Sequence, residues 1–233
     1  TTLPIKDEGY VLNKQCFWDL ISIRYLWRLK RLPENCECGA SFTIQHALQC
    51  SKGGFICQRH NEIRNITASL MKEVCNDVRI EPMLQPLSAE CLTAIDSEQA
   101  RLDISARSFW TTGQIAFFDV RVFNPNAKRY VGQELRKAYE INEKEKKKSY
   151  NERVLQVEHG TFTPLVMSAT GGMGRECKKF YARLSEMIAE KRKERYSIIT
   201  SWIRRKLSFA IIRSICTCVR GSRQVFHTNT KSS

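Results

Sequence analysis

The chain has 233 residues, of which 42% are apolar and 27% charged, and a formal net charge of +14. That length and composition exclude an intrinsically disordered chain and allow one hydrophobic core, or one core plus a small satellite module. The basic excess points to a polyanionic partner, nucleic acid being the usual one. It sits at one end: residues 175–233 carry fifteen Lys or Arg against four Glu, and the remainder twenty-three against twenty Asp or Glu.

Thr1 to Tyr10 shows no basic stretch followed by an apolar run, so no signal peptide is expected, and a start at Thr1 suggests a piece of something longer. The ten cysteines need not be a disulfide framework, because a chain this rich in apolar residues does not require staples. Residues 12–30 have helical spacing, with Cys16, Leu20, Ile23 and Trp27 on one face, and Pro33 closes that segment. A cysteine-rich knot follows from Cys36 to Cys50, then a Lys52-Gly53-Gly54 turn. A second helix is predicted over about 59–76, with Ile63, Ile66, Leu70 and Val74 on its apolar face. Residues 78–81, 100–106 and 115–123 read as strands, and 88–99 as loop. A long helix is predicted over about 134–154, then a strand or loop at 162–168 and a glycine turn at 171–174. Two basic amphipathic helices, 175–194 and 197–219, precede a tail read as disordered.

These elements predict a mixed α/β (α+β) fold with one small central sheet. The division expected is an N-terminal helix (1–33), a zinc knuckle (34–54), a core (55–174), a basic helical extension (175–221) and a tail (222–233). The apolar stretch 198–219 is broken by Arg204, Arg205, Lys206 and Arg213, so it is not a membrane span. Arg204, Arg205 and Lys206 are candidate DNA contacts in the basic quarter.

Cys36, Cys38, His46 and Cys50 are spaced C-x-C-x7-H-x3-C. A zinc ion takes four N or S ligands in a tetrahedron. A close cysteine pair on a turn supplies two of them, with Gly39 allowing the tight backbone. His46 and Cys50, four residues apart, point the same way from one helical turn. Such a short loop buries little, and a bound ion would supply its folding energy. The pair Cys216 and Cys218 has no histidine nearby and reads as helix packing.

Metal-dependent phosphodiester cleavage needs carboxylates to hold Mg²⁺ and a cation near the scissile phosphate. Arg101-Leu102-Asp103 opens one strand, and Asp119 interrupts the apolar run of the next, where a charge is costly unless paired or metal-bound. On the following helix Leu135, Tyr139, Glu143, Lys146, Tyr150 and Val154 form one face. Glu143 and Lys146 are expected to point inward toward Asp103 and Asp119, with Lys144, Lys147 and Lys148 outward. Glu81 is a further candidate acid. Arg59, His60 and Arg64, at the start of the second helix, are candidate phosphate contacts.

The order of zinc knot, Arg-His helix, Arg-x-Asp strand, Asp-Val strand and Glu-x-x-Lys-x-x-x-Tyr helix resembles the restriction-like endonuclease region of non-LTR retrotransposon proteins. Cys36-Glu37-Cys38-Gly39, Arg59-His60-Asn61-Glu62, Phe118-Asp119-Val120-Arg121-Val122-Phe123-Asn124-Pro125 and Phe162-Thr163-Pro164-Leu165-Val166 are similar to the C-terminal part of reverse-transcriptase-bearing mobile-element proteins. The resemblance covers roughly residues 8–225. It implies a PD-(D/E)xK nuclease core in which Asp103 matches the aspartate of PD, with Leu102 where the family has Pro. Asp119 matches the acidic member of (D/E)xK, with Arg121 where the family has Lys. Lys146 then matches the lysine that these nucleases take from the next helix, and Tyr150 the tyrosine after it.

The expected activity is Mg²⁺-dependent nicking of DNA, with Arg121 clamping the phosphate and Lys146 orienting water or neutralising charge. The resemblance adds a nicked 3′-OH that primes reverse transcription. Partners expected are DNA and, second, the element RNA, in a nuclear or nucleocytoplasmic setting, with no membrane and no small-molecule substrate. Two alternatives stay open: a nucleic-acid-binding module with a decayed active site, and a structural assembly segment of a polyprotein.

Overall fold

In a computed structural model the chain is described over residues 9–25, 27–85 and 101–223. The first helix, α1 (Lys14–Arg24), is capped by Asn13, whose side chain accepts from the Cys16 N–H at 2.7 Å. It is shorter than its periodicity suggests: Trp27 N–H bonds back to Ser22 O, and the chain then leaves helical geometry. A short helix, α2 (Ile44–Ala47), lies within the cysteine-rich segment. Helix α3 (Phe55–Lys72) starts earlier than predicted, because Gly54 at φ +67° ends the preceding turn and lets Gln58 N–H reach its carbonyl. It also stops earlier, since Asn76 already belongs to a strand.

The strands are β1 (Asn76–Ile80), β2 (Ile104–Arg107), β3 (Ile115–Phe123) and β4 (Thr161–Ser168), in the order β1-β2-β3-β4. The first two pairings are antiparallel and β3–β4 is parallel. The long helix α4 (Leu135–Gln156) makes the crossover between the parallel strands, as that pairing requires. Pro164 sits in β4, at the sheet edge, where the missing N–H breaks no ladder. Helices α5 (Arg175–Arg192) and α6 (Tyr196–Arg220) follow. Thus the mixed α/β fold with one sheet is the observed architecture. Residues 88–99, Ala100 and the chain after Arg223 lie outside the described residues.

Alternation along β3 sorts its side chains between two faces. Ala116, Phe118 and Val120 enter the main core with residues of α3, α5 and α6. There Phe118 packs against Phe109 and Phe180 at ring separations of 5.2 and 4.9 Å. Phe117 faces the other way, toward Val154 of α4 and Phe162 of β4, and Phe123 meets Tyr139 of α4. Asp119 and Arg121, in the same alternating set, therefore lie under α4. Ala47 and Leu48 join the main core, so the cysteine-rich segment is docked on it. The nine described cysteines are all free thiols. No helix among the described residues is long and apolar enough to cross a membrane.

Candidate active site and candidate zinc cluster

Asp103 immediately precedes β2, and its N–H bonds to Phe118 O on β3, which brings it beside Asp119 across the strand pair. Asp103 Oδ2 accepts from the Val120 N–H at 2.6 Å and stands 3.0 Å from His60 Nε2. Asp119 is 5% exposed and turns its Oδ2 toward α4. The ammonium of Lys146 stands 2.8 Å from that oxygen as its ion-pair partner. Four residues farther along α4, Tyr150 packs against Phe162, with Lys146 Nζ 5.5 Å from its ring centre. The structure thus brings Asp103, Asp119, Lys146, Tyr150 and His60 together from three elements and the segment that enters β2.

Electrostatics inside this group are strained. Burial pushes the Asp119 carboxyl above its ordinary range, and nearby Asp103 adds to that push while Lys146 opposes it. The hydrogen bond to Asp103 raises His60 above the usual imidazole range despite the opposing effect of burial. Burial likewise raises the Tyr150 phenol. A buried carboxylate disfavoured in its charged form and lying beside a second acid is a position that a divalent cation would relieve.

Three residues expected at this site lie elsewhere. Glu143 does point inward, but toward α5: its Oε1 accepts the Glu176 N–H at 3.0 Å and caps that helix. Gly174 makes room for it, since a side chain there would overlap the carboxylate. Arg121 Nη1 bonds to Glu145 at 2.9 Å, and Glu145 also pairs with Arg129, so Arg121 belongs to an outer charge network on α4. Glu81 is held between Arg64 and Arg101, the latter at 3.2 Å.

The expected phosphate contacts also divide. Arg59 is 3% exposed, its Nη2 turned to the carbonyls of Leu48 and Val122. Arg64 is buried against Glu81. His60 and Arg64, four apart on α3, present one stripe to Asp103 and Glu81, whose backbones are bonded to each other (Glu81 N–H to Asp103 O, 2.9 Å). The pairing of His60 with an acid was missed in sequence, and the i,i+4 spacing is the signal that could have found it. On α6, Arg204 is exposed, Arg205 lies over the Tyr10 ring, and Lys206 lies over Trp202 at 4.6 Å.

The second cluster is complete in the geometry. The ligand atoms of Cys36, Cys38, His46 and Cys50 all lie within 4.8 Å of one another. Cys36 and Cys50 Sγ are 3.7 Å apart, and Cys38 Sγ is 3.3 Å from His46 Nε2. Tetrahedral zinc with bonds of about 2.0–2.3 Å sets ligand–ligand edges of about 3.3–3.8 Å, which these two distances match. Gly39, at φ +87°, turns the chain back so that Cys36 N–H reaches Ala40 O. Thr43 caps α2 through the His46 N–H at 3.0 Å, and Cys50 N–H bonds to His46 O, which fixes the second ligand pair on one turn. Burial raises the Cys36 thiol, while the Ala40 backbone lowers that of Cys38. This Cys3His group could bind zinc.

No protein-family model and no curated protein matches the chain.

Proposed function

We propose that the chain is a Mg²⁺-dependent DNA endonuclease segment of a retrotransposon protein, carrying a structural zinc knuckle. The observation that supports this most is the juxtaposition of two carboxylates on paired strands with a lysine 2.8 Å from the more buried one. Asp103 and Asp119 are the residues that would hold Mg²⁺. An ion held by Asp103 and Asp119 would supply an activated water and electrostatic stabilisation of the charge developing at phosphorus.

The chain's own residues have separate tasks in this reading. Lys146 neutralises Asp119 in the resting protein and can turn its ammonium to the scissile phosphate. His60 and the Val120 N–H fix the orientation of Asp103 through its Oδ2. Tyr150 and Phe162 form an apolar wall that excludes water beside the acids. In keeping with the resemblance to target-priming nucleases, the nick leaves a 3′-OH for reverse transcription, and the setting is nuclear. Lys146, not Arg121, is the lysine of the motif, because Arg121 is engaged by Glu145.

The test is nicking of supercoiled plasmid with Mg²⁺ and with EDTA, for the wild-type chain and for Asp119→Ala. Metal-dependent nicking that falls about a hundredfold or more in the variant supports the assignment. Equal DNA binding by both proteins with no nicking by either overturns it in favour of a binding module.

A further inference from the structure

We propose that the aromatic and basic segment around the end of α1 is a binding platform for single-stranded nucleic acid, separate from the acid cluster. The inner face of α1 is fixed. Asp19 is buried and receives two hydrogen bonds from Arg220 of α6, at 2.7 and 2.8 Å. With that side pinned, Phe17 and Trp18 are each 51% exposed on the other. Just beyond, Tyr25 and Trp27 are 59% and 55% exposed and stack on one another, with ring centres 5.3 Å apart and planes 25° from parallel. Four large rings in water on one short segment are not needed by the core, which excludes them.

Charge says what covers them. Lys14, Arg24, Arg28, Lys30 and Arg31 are interleaved with the rings, all exposed, and none forms an ion pair among the described residues. Over residues 9–34 the acids are Asp19, already neutralised by Arg220, and Glu34. A groove of about 720 Å³ runs beside the stack, lined by Trp27, Arg28, Lys30 and Phe42 among others. The core of a protein–protein interface is depleted in charge, and this surface is rich in it. Duplex DNA keeps its bases stacked internally and offers no free faces. Bases of a single strand can be splayed onto aromatic rings while phosphates meet the cations. The platform needs no cleavage and stands if the nuclease reading falls.

The experiment titrates the full chain, in buffer with Zn²⁺ and without Mg²⁺, into labelled oligo-dT and into a duplex of equal length, read by anisotropy and by quenching of tryptophan fluorescence. Wild type binds oligo-dT with quenching. Tyr25→Ala/Trp27→Ala weakens that binding about tenfold or more, while duplex binding and thermal unfolding stay as they were. Trp27→Phe keeps the affinity because a ring is still present. Arg28→Ala/Lys30→Ala lowers the slope of log affinity against log salt by about 1.4, as loss of two single-strand phosphate contacts requires. The proposal is overturned if the double aromatic variant binds oligo-dT as tightly as wild type, if duplex affinity falls in parallel, or if anionic phospholipid vesicles compete the oligonucleotide away.

Discussion

In the cysteine–histidine cluster all four donors come from residues 36–50, while the acid cluster draws on residues 60, 103, 119 and 146, from two helices and the strand pair between them. The first is local and takes its shape from two turns, one at Gly39 and one at α2. The second has no local shape at all: its residues meet because a sheet pairs and two helices cover it. A local cluster with little apolar burial depends on its ligand for order. A cluster mounted on a core is ordered already, and its charges are a burden that the core carries.

Removal of metal is the sharpest way to break that comparison. Chelation, or Cys50→Ser, should cost about 5 kcal/mol or more of local stability at residues 36–50. Amide exchange there should rise to that of an open loop while β3 keeps its protection. Equal protection of the knuckle with and without chelator would mean that packing of Ala47 and Leu48 on the core suffices.

The converse holds at Asp119, where a smaller effect of opposite sign is expected. Its carboxyl titrates above the ordinary value because burial penalises the charge. Stability contributed by the protonated form is therefore present at acid pH and lost as pH rises from the ordinary 3.8 through the raised folded value. Asp119→Asn removes that penalty, so at neutral pH it should match wild type or exceed it by about 1 kcal/mol in denaturant unfolding, while nicking is lost. A loss of stability would show that the ion pair with Lys146 outweighs desolvation.

The smallest effect belongs to His60. Its folded pKa is raised by Asp103, so its pairing stabilises the protein fully below the ordinary imidazole value of 6.5 and loses that effect as pH rises through the folded value. The side chain is 31% exposed, so His60→Ala should cost only about 0.5–1 kcal/mol at low pH. The difference from wild type should shrink in mildly alkaline buffer. A difference independent of pH would assign the loss to packing alone.

The same contrast explains what could be read from sequence. The C-x-C-x7-H-x3-C spacing carries its own geometry, so the knuckle is legible residue by residue. Strand β3 is legible too, because Ile115 to Phe123 is apolar on both faces between turn residues, and so is the i,i+3 and i,i+4 face of α4. Spacing along α4 does not say where along the sheet each residue lands. Glu143 and Lys146 are nearly one turn apart, and that offset sends Glu143 to the α5 N-terminus and Lys146 to Asp119. Nor does proximity in sequence to Asp119 place Arg121 at the acids, since Glu145 on the overlying helix is its nearer counter-charge. Leu102, where the resemblance implies a proline, has a use for its backbone: its N–H bonds to Pro82 O at 3.2 Å, a bond a proline cannot make.

The ties between α1 and α6 have a consequence for assembly. Asp19 and Arg220 are separated by 201 residues, Gly9 O accepts from Arg213, and Tyr10 packs against Phe209 with ring centres 4.8 Å apart. During synthesis, α1 leaves the ribosome 201 residues before its charged partner exists. Closing so long a loop is entropically costly and comes after local structure. Among the described helices, α1 is therefore the last to dock.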